Sequence, residues 1–524
     1  MFENIDNNIV ALFYVAVTLI TASFFIFFWK KKLGLGILVA GTFTLALFMA
    51  LLDPFLHLWD EQQHALVAKH MIEHPFKPML YTDPVLPYLK SYWVQNHIWL
   101  HKQPLFMWQM ALSMKIFGTN VLAMRLPSVI MFSLMPLIVF RIGTLLKNET
   151  AGFIAAFFMA LANFPLELVS GMWHTDHNDM AFMFYLTLSV MCWFEYQNNG
   201  KTKWLILLGI TAGCAVLVKW LLGLLVYVIW YLVISFQNKM KIWEIKNYLV
   251  MIKPFVVSLI VFLPWQIYCL INYPYEWKWE MQAAGKHFNH VVEGHGGSWK
   301  YHFDEGMDML YFPGDLIPFV LLAFLIISFF LISKLPNRLF LLLWVLFIYM
   351  FFTVAATKML GFTVIAMPLI LVSFGISIEF LYEKFAKKVK TIFLQAIFLF
   401  AIICYPACKF LNPEQMQIMH SDFGYWENYE RINEMNELYL ITELRKEYGS
   451  DKVVIFNSNT TPLGSIQIMF FTDYLAYPQI PNDREIKTVL ENDYVPVVLD
   501  RGNLSDTTIV DPRLTIFPVT SIYY

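Results

Sequence analysis

Apolar residues in this chain come in long unbroken runs, not in the alternating or three-to-four-residue patterns of a soluble fold. Runs long enough to cross a bilayer as helices, about 20 residues each, fall at 9–29, 33–52, 121–146, 151–169, 181–197, 203–218, 220–236, 250–271, 316–333, 338–355, 361–382 and 391–409. They predict about twelve transmembrane helices. Polar stretches at 53–120, 170–180 and 272–315 interrupt them. After residue 410 the pattern changes. Ile432, Met435, Leu438, Ile441 and Leu444 recur every three residues, as on one face of an amphipathic helix. Short apolar runs at 453–456 and 494–499 read as buried strands, with a helical stretch at 484–490 ahead of the second. The expectation is an α-helical polytopic membrane module over 1–410 and a small extracytoplasmic α/β domain over 411–524.

Composition agrees. Of the 524 residues 58% are hydrophobic and only 15% charged, whereas soluble chains carry about 25% charged residues. That apolar excess is too large for a single packed core and excludes a soluble enzyme or a disordered scaffold. A net charge of −2 supplies no field to draw nucleic acid. Cys192, Cys214, Cys269, Cys404 and Cys408 lie in or beside apolar runs without metal-ligand spacing, and read as small hydrophobes.

Lysine and arginine set the orientation. They crowd the loops at 29–33, 141–150, 198–203, 237–253, 333–338 and 382–390, and are sparse in the much longer alternate loops. By the positive-inside rule the first set faces the cytoplasm. The loops 53–120, 170–180 and 272–315 and everything after 410 then face outward, with the N-terminus. The first eight residues hold Glu3 and Asp6 and no basic residue, which argues against a cleavable signal peptide.

Ionisable residues at a membrane face are costly and usually functional, and the outward loops gather several. They are Asp60, Glu61 and His64; His101 and Lys102; His174, Asp176, His177 and Asp179; Lys358, isolated between two apolar runs; and Lys286 and His287 within 272–315. Each also has a plainer reading. Asp60-Glu61 suits a helix N-terminus, Lys102 and Lys358 suit snorkelling anchors, and the tryptophans of 272–315 suit an interface belt. His101, His174 and His287 are chemically suited to a metal, so a divalent ion is a candidate cofactor. The gathering of these groups on one face favours function. A carboxylate base with lysines nearby suits a substrate with a membrane tail and a phosphate head, such as a polyprenyl-phosphate sugar. The aspartate takes a proton from an acceptor hydroxyl, and lysine stabilises charge on the departing lipid phosphate.

The order of motifs carries a resemblance. Asp60-Glu61 is followed by Lys102-Gln103-Pro104-Leu105-Phe106-Met107-Trp108, then Phe117-Gly118, then Ala123-Met124-Arg125-Leu126-Pro127-Ser128. His174–Asp179, Val218-Lys219-Trp220 and Thr357-Lys358 with Pro368 come further on. This series resembles the GT-C membrane glycosyltransferases, most closely the family 39 group of protein O-mannosyltransferases and lipid A aminoarabinose transferases. The resemblance covers about residues 53–370. It implies an inverting transferase that takes a sugar from a lipid-phosphate donor and passes it to a protein, lipid or glycan at the outer face of a bacterial inner membrane. By it, Asp60 matches the catalytic acid, Glu61 its partner, and Lys102 the lysine on the donor phosphate. Asp176 or Asp179 matches the second-loop acid, and Val218-Lys219-Trp220 stands where the family has Thr-Lys-Gly. His64, His101, Lys286 and Lys358 are further substrate-binding candidates. The chain departs from the aminoarabinose branch at Gln63-His64, where that branch tends to have Arg-Tyr, and at Gln103, where it has a second proline. An arginine contact to the donor phosphate at 63 is therefore missing.

Two readings from other classes compete: a transporter or flippase of lipid-linked saccharides, and a non-catalytic scaffold acting through the tail. Transporters tend to show internal repeats and midplane charges. Here no halves are duplicated and the charges sit in loops.

Overall fold

The computed structural model describes residues 5–87, 97–172, 176–238, 244–312, 314–389, 391–420, 426–459 and 464–520, except for the side chains of 176, 284 and 426–430. Its internal contacts divide the chain into two compact units.

One unit comprises residues 5–51 and 128–416 and is almost wholly helical. A described helix stands at each apolar run. Eight are long and apolar enough to cross a membrane, nine if the pair Glu149–Ala160 and Asn163–Ser170, bent by 44°, counts as one span. The chain is thus a multi-pass membrane protein. The runs at 203–218 and 220–236 form the helices Thr202–Lys219 and Leu225–Gln237, joined by a 3₁₀ turn at Trp220–Leu224 that folds back on the first, where a Cβ added at Gly223 would sit 2.3 Å from the Val216 backbone nitrogen. Ile317–Leu331 has only 15 residues, which at 1.5 Å each gives roughly 22 Å against a hydrocarbon core of about 30 Å. The helix Asp176–Asn199 falls short because Asp176, Asp179 and Glu195 dilute its apolar character.

Small residues let these helices meet closely, as membrane packing requires. A Cβ added at Gly143 would sit 2.6 Å from the Gly152 Cα, and one at Gly375 would sit 2.4 Å from the Ala151 carbonyl oxygen. Phe27 stacks on Phe153 at 3.9 Å between ring centroids. Outward positions such as Phe330, Met350, Val354 and Ile260 stay bare, the surface a lipid phase would cover.

The second unit joins residues 52–127 to the segment from 417 onward. Its sheet has four parallel strands, β1 (Val453–Phe456), β2 (Leu475–Ala476), β3 (Val495–Asp500) and β4 (Thr515–Pro518), in the order β2-β1-β3-β4. Helices Gly464–Phe471, Asp483–Glu491 and Asp506–Ile509 make the crossovers. β1 is buried throughout, which is why it reads as an unbroken apolar run. Asn482 and Glu485 close a capping box on the second crossover helix.

Within this unit the first outer loop packs into the tail. Lys69, on the helix Asp60–Met71, donates to the carbonyls of Met469, Phe470 and Thr472 and so caps Gly464–Phe471. Gln62 and Gln467 both donate to buried Glu434. Tyr81 stacks on Tyr477 and donates its hydroxyl proton to the Ala476 carbonyl. These polar ties give the loop a fixed register on the tail.

Candidate active site

The helix Asp60–Met71 starts the site in the second unit. It carries ten buried residues, including all of Asp60-Glu61-Gln62-Gln63-His64. Buried carboxylates need partners, and the two acids find different ones. The Asp60 carboxylate faces the Lys102 ammonium at 3.0 Å. Burial by itself would raise the Asp60 pKa, but the Lys102 charge, then His64 and His101, outweigh it and hold the carboxyl well below the usual carboxylate range. Burial pulls His64 down to about 3 despite Asp60, so at neutral pH that imidazole is uncharged and Lys102 is the main counter-ion. The His64 ring packs edge-on against Phe106 and Trp99. Asp60 is therefore an ionised, largely dehydrated base with a movable cation beside it.

Glu61 is committed elsewhere. Its two oxygens accept from Arg125 Nε at 2.6 Å and Nη2 at 2.9 Å, a bidentate pair. One of them also accepts the His57 backbone N–H at 2.6 Å. Arg125 is fully buried, and it donates further to the Asp53 and Phe55 carbonyls. This knot fixes the turn 53–59 that delivers Asp60. Both oxygens of Glu61, the expected catalytic partner of Asp60, are thus engaged by Arg125 and the His57 N–H. Arg125 was visible as part of a motif, but a side chain with no exposed atom has no spacing signature of its role.

In the same turn Asp53 accepts from His57 Nε2 at 3.0 Å and from His420 Nδ1 at 2.6 Å, and pairs with Arg431. Asp53, His57 and His420 are the grouping of candidate metal ligands found among the described residues. Neither His101 nor His287 belongs to it, and His174 lies outside the described residues. The sequence reading missed this cluster.

The membrane unit holds the remaining candidates. Asp176 opens the helix Asp176–Asn199, and its side chain is outside the described residues. Asp179 is buried and paired with Lys219, whose ammonium also lies 5.2 Å from the Phe362 ring centre. His177 Nδ1 lies 2.8 Å from the Ser128 hydroxyl. Lys358 donates to the carbonyls of Phe352, Thr353 and Ala355, so its three protons close the end of helix Leu335–Val354, and in this conformation it is a cap. Burial, then Lys358, lowers neighbouring His302 to about 4. Lys286 and His287 sit in the last turn of Pro274–Asn289, where the Lys286 charge complements the helix dipole. Lys286 is exposed there.

Trp220, next to Lys219, has φ 56° and ψ −159°, a region that is essentially glycine's. The family resemblance has a glycine at this point. Trp220→Gly and Trp220→Ala both remove the ring, but only glycine relieves the backbone. The glycine variant is therefore expected to be the more stable of the two by about 1–3 kcal/mol, read as the higher midpoint in detergent thermal unfolding. Equal midpoints would show the backbone to be unstrained.

Comparison with known proteins agrees with this architecture. The solved structure of ArnT from Cupriavidus metallidurans bound to undecaprenyl phosphate superposes with a TM-score of 0.62 over 92% of this chain and 89% of that one, at 12% identity. The chain thus shares the fold of that structure. The archaeal oligosaccharyltransferase AglB from Archaeoglobus fulgidus, in complex with an inhibitory peptide and a dolichol-phosphate, matches with a TM-score of 0.52 over 86% of this chain and 65% of that one, at 13% identity. Residues 101–268 match the family described as dolichyl-phosphate-mannose-protein mannosyltransferase. An undecaprenyl phosphate-alpha-4-amino-4-deoxy-L-arabinose arabinosyl transferase from Pseudomonas fluorescens (strain Pf0-1) is 26% identical over 253 residues. That alignment covers 45% of this chain and 41% of the relative, so it spans about two fifths of the relative's length.

Proposed function

We propose that this protein is an inverting membrane glycosyltransferase that moves a sugar from a polyprenyl-phosphate donor to a hydroxyl of a protein, lipid or glycan acceptor. The observation that carries this reading is the largely buried Asp60–Lys102 pair, set in a fold shared with proteins solved with polyprenyl phosphates. Asp60 accepts the proton of the acceptor hydroxyl as that oxygen attacks the anomeric carbon. The bond from that carbon to the phosphate oxygen breaks, and the lipid phosphate leaves with the electron pair. Lys102, a compact charge with three donors, moves from Asp60 to the phosphate and stabilises its growing charge, while Glu61 and Arg125 hold the turn in place. Neither role calls for a bound nucleotide.

The reaction is tested with purified protein in proteoliposomes holding a short-chain polyprenyl-phosphate sugar and extracts of cell-envelope acceptors. Release of free polyprenyl phosphate with gain of sugar on an acceptor supports the transferase. Movement of intact donor between leaflets without release supports the flippase. Mass spectrometry of surface glycoproteins and glycolipids with and without the gene then names sugar and acceptor together.

The site and tail are assigned to the periplasmic side of a bacterial inner membrane, from the lysine and arginine distribution. In a cysteine-free variant, a cysteine replacing exposed Lys487 is expected to react with a membrane-impermeant maleimide in whole cells with a permeabilised outer membrane, and one replacing exposed Lys387 is not. The opposite labelling would put Asp60 in the cytosol and overturn the assignment.

A further inference from the structure

The cluster at Asp53 has donors that the transferase reading does not use. Asp53 and His420 are buried, and His57 is largely so. His57 Nε2 and His420 Nδ1 converge on the same oxygen, Asp53 Oδ2, and the three ligand atoms lie within 4.8 Å of one another. The two imidazole rings stand nearly perpendicular, at 86°, so their nitrogens approach from different directions. Arg431 takes the other oxygen, Oδ1. We propose that Asp53, His57 and His420 form a site for one borderline divalent cation of the zinc type, two imidazole nitrogens and one carboxylate oxygen, with a fourth position open to water.

The donor set is one that zinc favours: imidazoles with a single carboxylate. Tetrahedral bonds of about 2.0–2.1 Å would place ligand atoms about 3.3 Å apart, against 2.6 and 3.0 Å between each nitrogen and Oδ2 here. Side-chain rotations that widen these separations by about 0.3 and 0.7 Å open the site. Arg431 stays on Oδ1 and orients the carboxylate, the part that outer-shell donors play around ligating carboxylates. Its charge lowers affinity for a cation without occupying the oxygen the cation needs.

The site's placement gives it a consequence. Asp53 and His420 are 367 residues apart in sequence, and the ion would join the turn before Asp60 to the start of the tail. The same turn is gripped from its other side, where Arg125 takes the Asp53 carbonyl and Glu61 takes the His57 N–H. The cation is thus a clamp on the turn that presents Asp60, and its ligands are positioning residues. This inference stands apart from the transferase reading, because its readout is metal and not turnover.

The full chain, purified in detergent without chelator, is expected to carry about one equivalent of zinc by plasma mass spectrometry. After stripping, it should take up Co²⁺ at micromolar concentration with the visible absorption of tetrahedral nitrogen and oxygen ligation. Asp53→Asn and His420→Ala should each lose the metal. His57→Cys should instead add a sulfur-to-cobalt charge-transfer band, a gain of signal that a merely misfolded variant cannot give. A wild-type chain that is metal-free as purified and takes up no Co²⁺ would overturn the site, and that measurement needs no variant to fold. Cobalt uptake by His57→Cys without the new band, or unchanged uptake by His420→Ala, would place the metal elsewhere and overturn it equally. Failure of the sugar-transfer assay would leave all of these metal readings intact.

Discussion

Glu61→Gln is expected to cost about 3–5 kcal/mol of folding stability, because it leaves a buried cation without its counter-charge. Arg125 has no exposed surface, and two of its nitrogens donate to the Glu61 carboxylate. The glutamine can accept only one of those bonds and brings no charge, while the contacts to the Asp53 and Phe55 carbonyls keep the guanidinium inside. The measurement is thermal or denaturant unfolding of the detergent-solubilised protein, with the fraction recovered as a monodisperse peak as a second reading. Arg125→Met alone should be comparably harmful, since it strands the carboxylate. The double variant should recover part of the loss, because both charges leave together, and the mismatch from additivity measures the pair. A Glu61→Gln protein as stable as wild type would remove Glu61 from the positioning role and return it to the chemistry.

The pair also shows how far the sequence could be read. Apolar runs announce their helices because each run is local and long, and all the predicted runs are helical. Even the short break at Trp220–Leu224, where the chain turns back between two helices, falls between the two runs at 203–218 and 220–236. In the tail, β1 was legible as four consecutive apolar residues. β2 has only two residues and β4 is half-exposed, so neither leaves a pattern. Asp60 and Lys102 were found through motif order, and the structure puts them within ion-pair distance. What could not be read is the set of contacts made across the chain. Lys69 meets residues some 400 positions away, and Asp53 meets His420 and Arg431. Single buried polar residues do not recur at any period, so composition and periodicity pass over them. For the same reason the packing of the first outer loop with the tail leaves no pattern in the sequence.

Asp60→Asn should lower turnover about 10²–10⁴-fold, the usual contribution of a general base, with folding and donor binding retained. The amide keeps the shape of the carboxylate and can still accept a hydrogen bond from Lys102, so the loss isolates proton acceptance. The lysine supplies a companion test with a definite sign. In the wild type its charge keeps Asp60 ionised far into the acid range, so Asp60 should set no acid limb near neutral pH. In Lys102→Met the burial that raises the Asp60 pKa is no longer opposed by that cation, and His64 is neutral and cannot replace it. The acid limb of the rate profile should therefore move to higher pH in the methionine variant and return part of the way in Lys102→Arg. Turnover at the plateau should also fall by roughly 2–4 kcal/mol in barrier terms, as when one donor to a developing oxyanion is lost. A lysine that merely anchors the loop at the membrane surface would leave both the plateau and the limb where they are. Steady-state rates from pH 5 to 9 in nanodiscs, with a short-chain polyprenyl-phosphate sugar, separate these outcomes. Activity of Asp60→Asn within a few-fold of wild type would reject Asp60 as the base and turn attention to Asp179, the buried acid paired with Lys219.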